Sequence, residues 1–118
     1  ADILSDLAAA LAGSLGIAPT ANLDPERRYP SMFEPIHGSA FDIMGKGLAN
    51  PIGTFWSCVM LLEHLGETAA AAQLMAAIEA VTADARLHTR DLGGQATTAQ
   101  VTDAVCVALR KPMAVAHV

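Results

Sequence analysis

The stretch EPIHGSAFDIMGKGLAN, residues 34–50, decides how this chain is organised. It lies between an apolar extended run and a strong helix start, and positions 38, 45 and 47 are glycine. Glycine permits positive φ and a close approach of the backbone to a ligand. His37, Asp42 and Asn50 add three different polar groups, and such loops commonly carry binding residues, so the spacing predicts a small-molecule site. A long connector punctuated by turn residues is the alternative.

The composition narrows the class of protein. Lys and Arg total 7 against 12 Asp and Glu, a net charge of −5, and no basic run occurs, which argues against a nucleic-acid partner. No apolar run approaches the roughly 20 residues that span a bilayer. No secretory signal is visible, and we expect a cytoplasmic protein. Cys58 and Cys106 lack metal-ligand spacing, so we expect both to be buried thiols in a reducing compartment.

Residues 2–15 predict a helix, because apolar side chains recur at three- and four-residue steps and Gly16 suits a helix end. Asp2 and Asp6 are one turn apart and therefore lie on one face of that helix. A divalent cation would relieve their repulsion and take their oxygen atoms as ligands. Alternatively, the two carboxylates only favour the helix dipole. The chain opens on Ala1 with the helix pattern already running, so we expect a fragment of a longer protein.

The remaining elements follow from local signals. We expect an extended segment over 17–23, a polar turn over 24–30 and a strand over 31–36. Asn50 and Pro51 start a helix that Gly66 closes, and its inner face is predicted to comprise Ile52, Phe55, Trp56, Val59, Met60 and Leu62. An Ala-rich helix is predicted over 67–87. A capping box formed by Thr97 and Gln100 starts the last helix, which ends near Arg110.

Two common site types are excluded by the sequence. No Walker loop is present, and Gly45-x-Gly47 lacks the third glycine of a G-x-G-x-x-G motif, so a Rossmann site is not expected. His37 has no nucleophile in a convincing relation to it, which argues against a Ser/His/Asp triad.

The residues of the loop carry a more specific signal. The runs EPIHGSA (34–40), DIMGKG (42–47) and ANP (49–51) resemble the cofactor loop of the β-decarboxylating dehydrogenases, which include isopropylmalate, isocitrate, tartrate and D-malate dehydrogenases. The opening Asp2–Asp6 resembles the metal-binding helix of that family, and the run NPIGTFWS (50–57) is most similar to its tartrate/D-malate branch. The stretch Asp91-Leu-Gly-Gly resembles the C-terminal part of the family. Phe41 departs from the pattern, since the family usually has proline there.

The resemblance implies an α/β fold of the isopropylmalate dehydrogenase type, not a Rossmann fold, of which this chain would be the helix-rich C-terminal portion. Residues 1–16 would form a metal-site and dimer-interface helix, and residues 17–118 the cofactor-binding portion. The implied activity is NAD-dependent oxidation, with decarboxylation, of a 2-hydroxy acid such as tartrate or D-malate. Mg²⁺ or Mn²⁺, with K⁺ as a further ion, and a homodimer are also implied.

The resemblance also assigns roles to residues. Asp2 and Asp6 would bind the divalent metal, and the adenosine half of NAD would contact His37, Gly38, Ser39, Ala40, Asp42, Ile43 and Asn50. The Asp42 carboxylate would accept hydrogen bonds from the ribose and disfavour the 2′-phosphate of NADP. The Lys, Tyr and Arg residues that the family uses for proton transfer and substrate binding would lie upstream, so the fragment alone should be inactive. A non-catalytic regulatory subunit of the same fold, or an isopropylmalate dehydrogenase, is the alternative.

Overall fold

The computed structural model describes residue 11 and residues 13–111. Two short strands, β1 (Pro19–Asn22) and β2 (Met32–Pro35), precede three helices, α1 (Ile52–His64), α2 (Thr68–Thr82) and α3 (Thr98–Arg110). Short 3-10 helices occupy Leu15–Ile17, Ala85–Leu87 and Arg90–Leu92. A helix-rich architecture with one small sheet agrees with the portion of an α/β fold that the sequence predicts.

The two strands pair antiparallel, with Thr20 opposite Glu34 and Asn22 opposite Met32. The turn between them is held by the side chain of Asp24, which accepts hydrogen bonds from the backbone N–H groups of residues 26, 28 and 29. Arg27, at φ 54°, then donates from its guanidinium to the carbonyl oxygen of His64 over 2.6 Å. This contact ties the hairpin to the C-terminal end of α1.

Both ends of α1 form as the sequence predicts. The Asn50 side-chain oxygen accepts a hydrogen bond from the N–H of Ile52 over 3.0 Å, so Asn50 caps the helix that Pro51 opens. At the other end Gly66 has φ +83°, and the N–H of Glu67 donates to the carbonyl oxygen of Leu62 over 2.9 Å. This pairing is the Schellman arrangement, which satisfies carbonyls that the helix leaves free.

The core forms where the three helices meet. Its buried members come from α1, α2, α3 and the segment before α3, and they are Ile52, Val59, Ala71, Leu74, Ala77, Ile78, Val81, Ala96, Val101 and Val105. Alanines at the contact positions of α2 allow the helix axes to approach closely. The capping box predicted for α3 is present, with Thr97 and Gln100 each satisfying a backbone N–H of the other.

Two expectations about burial are wrong. Trp56, predicted to be core, is 36 % exposed, because its large ring borders an open cavity instead of filling the core. Cys58 is exposed and Cys106 is only partly buried, whereas buried thiols were expected. Thr54, Cys58 and Leu61 form an exposed stripe on α1. Nearly every turn of this helix is apolar, so its sequence does not show which side faces the solvent.

Two helix boundaries also differ from the prediction. Residues 1–10 and 12 lie outside the described part of the chain, but Gly13 has φ +105° and Ser14 caps the 3-10 helix at Leu15–Ile17, so Leu15 does not belong to the predicted helix. The helix expected to reach residue 87 ends at Thr82. Asp84 is extended there, and its side chain accepts the N–H of Arg86, which starts a new 3-10 turn.

Within the described residues, no helix is both long enough and apolar enough to cross a membrane.

Candidate functional site

The loop between β2 and α1 folds as a series of tight turns. The N–H of Ile43 donates to the carbonyl oxygen of Ala40 over 3.0 Å, and the N–H of Lys46 donates to that of Ile43 over 3.1 Å. Gly45 and Gly47 have positive φ, which glycine adopts without a side-chain penalty. Ala40 also has positive φ, at 43°, so the loop holds one residue with a Cβ in a conformation that side chains disfavour.

The N-terminus of α3 anchors the far end of this loop. The N–H of Thr98 donates to the carbonyl oxygen of Gly47 over 2.9 Å, and its hydroxyl donates to that of Ala49 over 2.5 Å. These two bonds fix the loop against a helix that is itself part of the core. The C-terminal end of the loop is therefore held on a rigid support, since Asn50 also caps α1.

A cavity of about 620 Å³ opens beside the loop. Six of the seven residues predicted to bind the cofactor line it, namely His37, Gly38, Ser39, Ala40, Ile43 and Asn50. Other loop residues complete that wall, and the lining residues from outside the loop are Gly16, Arg90, Asp91 and Thr98. Its volume lies within the usual range of small-molecule sites, roughly 300–1,000 Å³.

The predicted polar residues differ in their placement. His37 is exposed, and its Nδ1 donates to the carbonyl oxygen of Gly38 over 2.9 Å. Asp42 is exposed and is not among the lining residues, although its neighbour Ile43 is. The Lys46 ammonium donates to the carbonyl oxygen of Asp42 over 2.6 Å, so a cation lies beside this residue.

The predicted metal ligands Asp2 and Asp6 lie outside the described residues. Among residues 11 and 13–111, no group of three or more His, Cys, Asp or Glu side chains is arranged to hold a metal ion.

Four side chains from three segments of the chain converge beside the cavity, and we call Ser14, Asn50, Thr89 and Asp91 the Asp91 cluster. One oxygen of the Asp91 carboxylate accepts from the Ser14 hydroxyl and, over 2.9 Å, from the Asn50 amide nitrogen. Its other oxygen accepts from the Thr89 hydroxyl. Ser14, Asn50 and Thr89 are buried, at 7 %, 7 % and 1 % exposure. The three donors therefore hold one carboxylate in a fixed place.

Asp91 as a whole residue is exposed, yet its carboxylate lies among these donors. Partial desolvation raises the pKa of Asp91, but the hydrogen bonds from Ser14, Thr89 and Asn50 together lower it by more. The pKa consequently lies below its ordinary value, and the group is a carboxylate at neutral pH.

The sequence alone did not identify the Asp91 cluster as part of the site. Asp91 appeared only in the run that resembles the C-terminal part of the family, and neither Thr89 nor Ser14, which lies 77 residues away along the chain, was predicted to contact it. The one available signal was the run Asp91-Leu-Gly-Gly, in which Gly93 has φ +81° and closes the turn. Arg90 and Thr98, which also line the cavity, had no distinguishing pattern.

A second cavity, of about 490 Å³, lies between α1 and α2. Its walls are mainly apolar, and His88 at its edge is bonded through Nε2 to the carbonyl oxygen of Thr82 over 2.8 Å. No residue predicted for the site lines it.

The sequence matches the protein family described as isocitrate/isopropylmalate dehydrogenase over residues 1–105. A probable tartrate dehydrogenase/decarboxylase of Agrobacterium vitis is 72 % identical over 109 residues, which are 92 % of this chain and 30 % of that protein. The D-malate dehydrogenase [decarboxylating] of Escherichia coli (strain K12) is 54 % identical over 110 residues, 89 % of this chain and 30 % of that protein. The chain thus spans less than a third of the length of these relatives.

A solved structure shows the same arrangement of elements. The isocitrate dehydrogenase from Methylococcus capsulatus superimposes with a TM-score of 0.85 at 42 % sequence identity, covering 93 % of this chain and 32 % of that one. The fold predicted from the loop motifs is therefore confirmed. By the extent of the family match and the agreement in structure, this chain belongs to the isocitrate/isopropylmalate dehydrogenase family.

Proposed function

We propose that this chain provides the adenosine-binding wall of an NAD-dependent oxidoreductase that oxidises and decarboxylates a 2-hydroxy acid such as tartrate or D-malate. The observation that carries the proposal is the 620 Å³ cavity against which the glycine-rich loop is folded. The relatives named as tartrate and D-malate dehydrogenases support the reaction and the substrate class.

The residues present fit the adenosine half of a dinucleotide. Glycines at the loop let the backbone approach a flat ring, and Ile43 and Ala40 offer an apolar surface for it. Asn50 and His37 add polar groups at the wall. Asp42, next to Ile43 and open to solvent, would accept hydrogen bonds from the ribose hydroxyls.

The remaining parts of the reaction rest on the relatives. When bound, the nicotinamide would accept hydride from the carbon bearing the substrate hydroxyl, and a divalent ion would stabilise negative charge on oxygen. Asp2 and Asp6 stay the proposed ligands for Mg²⁺ or Mn²⁺. A homodimer, the K⁺ ion and a cytoplasmic location also stay proposals.

The proposal can be tested with fragments of the cofactor. We expect AMP, added to the ¹⁵N-labelled chain, to shift the backbone resonances of residues 37–50, as NAD does. Nicotinamide mononucleotide, which carries no adenosine, is the matched control and should leave them unchanged. Shifts caused by the mononucleotide but not by AMP, or no response to NAD, would contradict the proposal.

Binding of nucleotide fragments to the labelled chain also tests the preference for NAD over NADP. Adenosine 2′,5′-bisphosphate should bind at least roughly tenfold more weakly than 5′-ADP, because its 2′-phosphate meets the Asp42 carboxylate. The Lys46 ammonium beside Asp42 opposes this effect, so Lys46→Ala should widen the difference and Asp42→Lys should narrow it. Equal binding of the two nucleotides by the wild type would show that Asp42 does not face the ribose.

A further inference from the structure

We propose that Asp91 is a positioning residue for the cofactor, which holds the carboxamide of Asn50 in a single orientation at the cavity wall. This inference rests on the proposed function, since it assigns a role within the same cavity. Asp91 would act through Asn50, and it was not among the residues expected to bind the cofactor.

The Asn50 carboxamide has a different partner at each end. Its nitrogen donates to the Asp91 carboxylate over 2.9 Å, and its oxygen accepts from the backbone N–H of Ile52 over 3.0 Å. Rotating the amide by half a turn would place oxygen against a carboxylate and nitrogen against an N–H group. Both contacts would then be repulsive, and the side chain is only 7 % exposed, so water cannot readily replace them.

Asp91 can impose this orientation because it is itself fixed. Ser14 donates to it from the segment before β1 and Thr89 from the same turn, and a carboxylate offers acceptors only. The Ser14 hydroxyl also accepts from the N–H of Gly16 over 2.9 Å, which leaves its proton for Asp91. All three donors to Asp91 are uncharged. The carboxylate is therefore held by three directed hydrogen bonds and not by an ion pair.

Gly16 shows how tightly this group is packed. A Cβ added at Gly16 would lie 2.9 Å from the Asp91 carboxylate oxygen and 3.0 Å from the Asn50 Cβ. The backbone at residue 16 therefore covers the Asp91 cluster, and neither side chain has room to turn toward it. Asn50, Asp91 and Gly16 all line the same cavity.

The fixed amide has a chemical consequence for the ligand. The Asn50 nitrogen carries two hydrogens, and Asp91 takes one of them. The other can be donated to an acceptor, such as an unprotonated ring nitrogen of adenine. Hypoxanthine carries a proton on N1, where adenine has a lone pair, so a fixed donor distinguishes the two bases.

The test compares the affinity of the chain for NAD and for nicotinamide hypoxanthine dinucleotide, measured by calorimetry. We expect Asp91→Ala to weaken NAD binding roughly tenfold and to bring the ratio of the two affinities toward one. Asp91→Asn should keep both the NAD affinity and the ratio of the two affinities at the wild-type level. Its side-chain oxygen can face Ser14 and Asn50 while its nitrogen donates to the Thr89 hydroxyl. Asp103→Ala, which removes an exposed carboxylate from α3, is the control and should change neither.

A second measurement separates the positioning role from the cofactor. Amide hydrogen exchange at Ile52 reports the bond to the Asn50 oxygen, and it should be faster in Asp91→Ala than in the wild type or Asp103→Ala. If Asp91→Ala does not fold, Asp91→Glu takes its place, because it keeps the charge but displaces the carboxylate.

The outcomes are distinct. Wild-type affinity, an unchanged ratio and unchanged Ile52 exchange in a folded Asp91 variant would overturn the positioning role. A wild-type chain that does not bind NAD would overturn the proposed function, and Ile52 exchange alone would then decide whether Asp91 orients the amide.

Discussion

At the scale of single residues, Gly94 is the glycine, among those in the described part of the chain, at which an added Cβ would meet the closest neighbour. A Cβ at this position would lie 1.9 Å from the carbonyl oxygen of His88 and 2.5 Å from its carbonyl carbon. The N–H of Gly94 donates to Thr89 and that of Ala96 donates to His88, each over 2.9 Å. These bonds hold the turn that carries Asp91.

We expect Gly94→Ala to lower the free energy of unfolding by about 2–3 kcal/mol, since the new methyl group meets backbone atoms that cannot move aside. Urea unfolding followed by circular dichroism measures this. Gly38→Ala is the matched control, because its Cβ would find no atom within 4 Å and its φ is ordinary, so the change should be within about 0.5 kcal/mol. Equal stability of the two variants would contradict the packing at Gly94.

Residues of the site could be predicted from the sequence only where a local motif contained them. His37, Ile43 and Asn50 belong to one loop, and that loop does border the cavity. Asp91 lines the same cavity from another segment of the chain, and its contact with Ser14 depends on how the elements pack. No local sequence pattern predicts that these residues meet. The loop itself could be predicted, because its sequence resembles that of a known family.

At the scale of elements, the sequence predicted helix starts better than helix ends. Caps at Asn50 and Thr97 depend on side chains next to the helix and are visible in the sequence. The end of α2 at Thr82 was missed because the Ala-rich composition continues past it. The stop comes from Asp84, whose side chain offers the backbone a different hydrogen bond.

The turn that follows α2 gives a pH prediction. The bidentate hydrogen bonds from the Arg86 guanidinium, over 2.7 and 3.0 Å, and the Arg86 N–H lower the pKa of Asp84 to about 2. Because the pKa of Asp84 is lower in the folded than in the unfolded chain, its ionised form stabilises the fold. This contribution to the free energy of unfolding is fully present above pH 3.8, which is the ordinary pKa of the group. It is lost as the pH falls from there through about 2.

Carbonyl-detected NMR titration measures this pKa directly. In Arg86→Ala we expect the pKa of Asp84 to rise toward its ordinary value without reaching it, since the backbone N–H at residue 86 remains a donor. Arg28→Ala removes an arginine from the hairpin turn and should leave the titration of Asp84 unchanged. An ordinary pKa in the wild type would rule out the bidentate contact.

At the scale of the whole molecule, the proposed function gives this chain one wall of a cofactor site. The titratable side chains that line the main cavity, within the described residues, are His37, Arg90 and Asp91. Asp91 is engaged by three hydrogen-bond donors. The relatives are more than three times as long as the matched region, which covers 30 % of the Agrobacterium vitis protein.

We therefore expect the 118-residue chain to bind NAD without forming NADH from tartrate, D-malate or isopropylmalate. Absorbance at the NADH band, with Mn²⁺ or Mg²⁺ present, is the measurement. A longer relative, assayed under the same conditions, controls for the substrates and metals. Turnover by a sample free of longer dehydrogenases would show that the catalytic groups lie within these residues.

The Asp91 cluster has a consequence for the order in which the molecule folds. Its hydrogen bonds join residues separated by 77 and 41 positions, so they require that the start of α1, the turn before α3 and the segment before β1 are already docked. Such contacts form after the transition state when the helices assemble from local interactions first. In stopped-flow experiments, Asp91→Ala should then accelerate unfolding and leave the refolding rate unchanged, and slower refolding would contradict this order. A ligand that fills the cavity would lengthen the lifetime of the folded chain without hastening its formation.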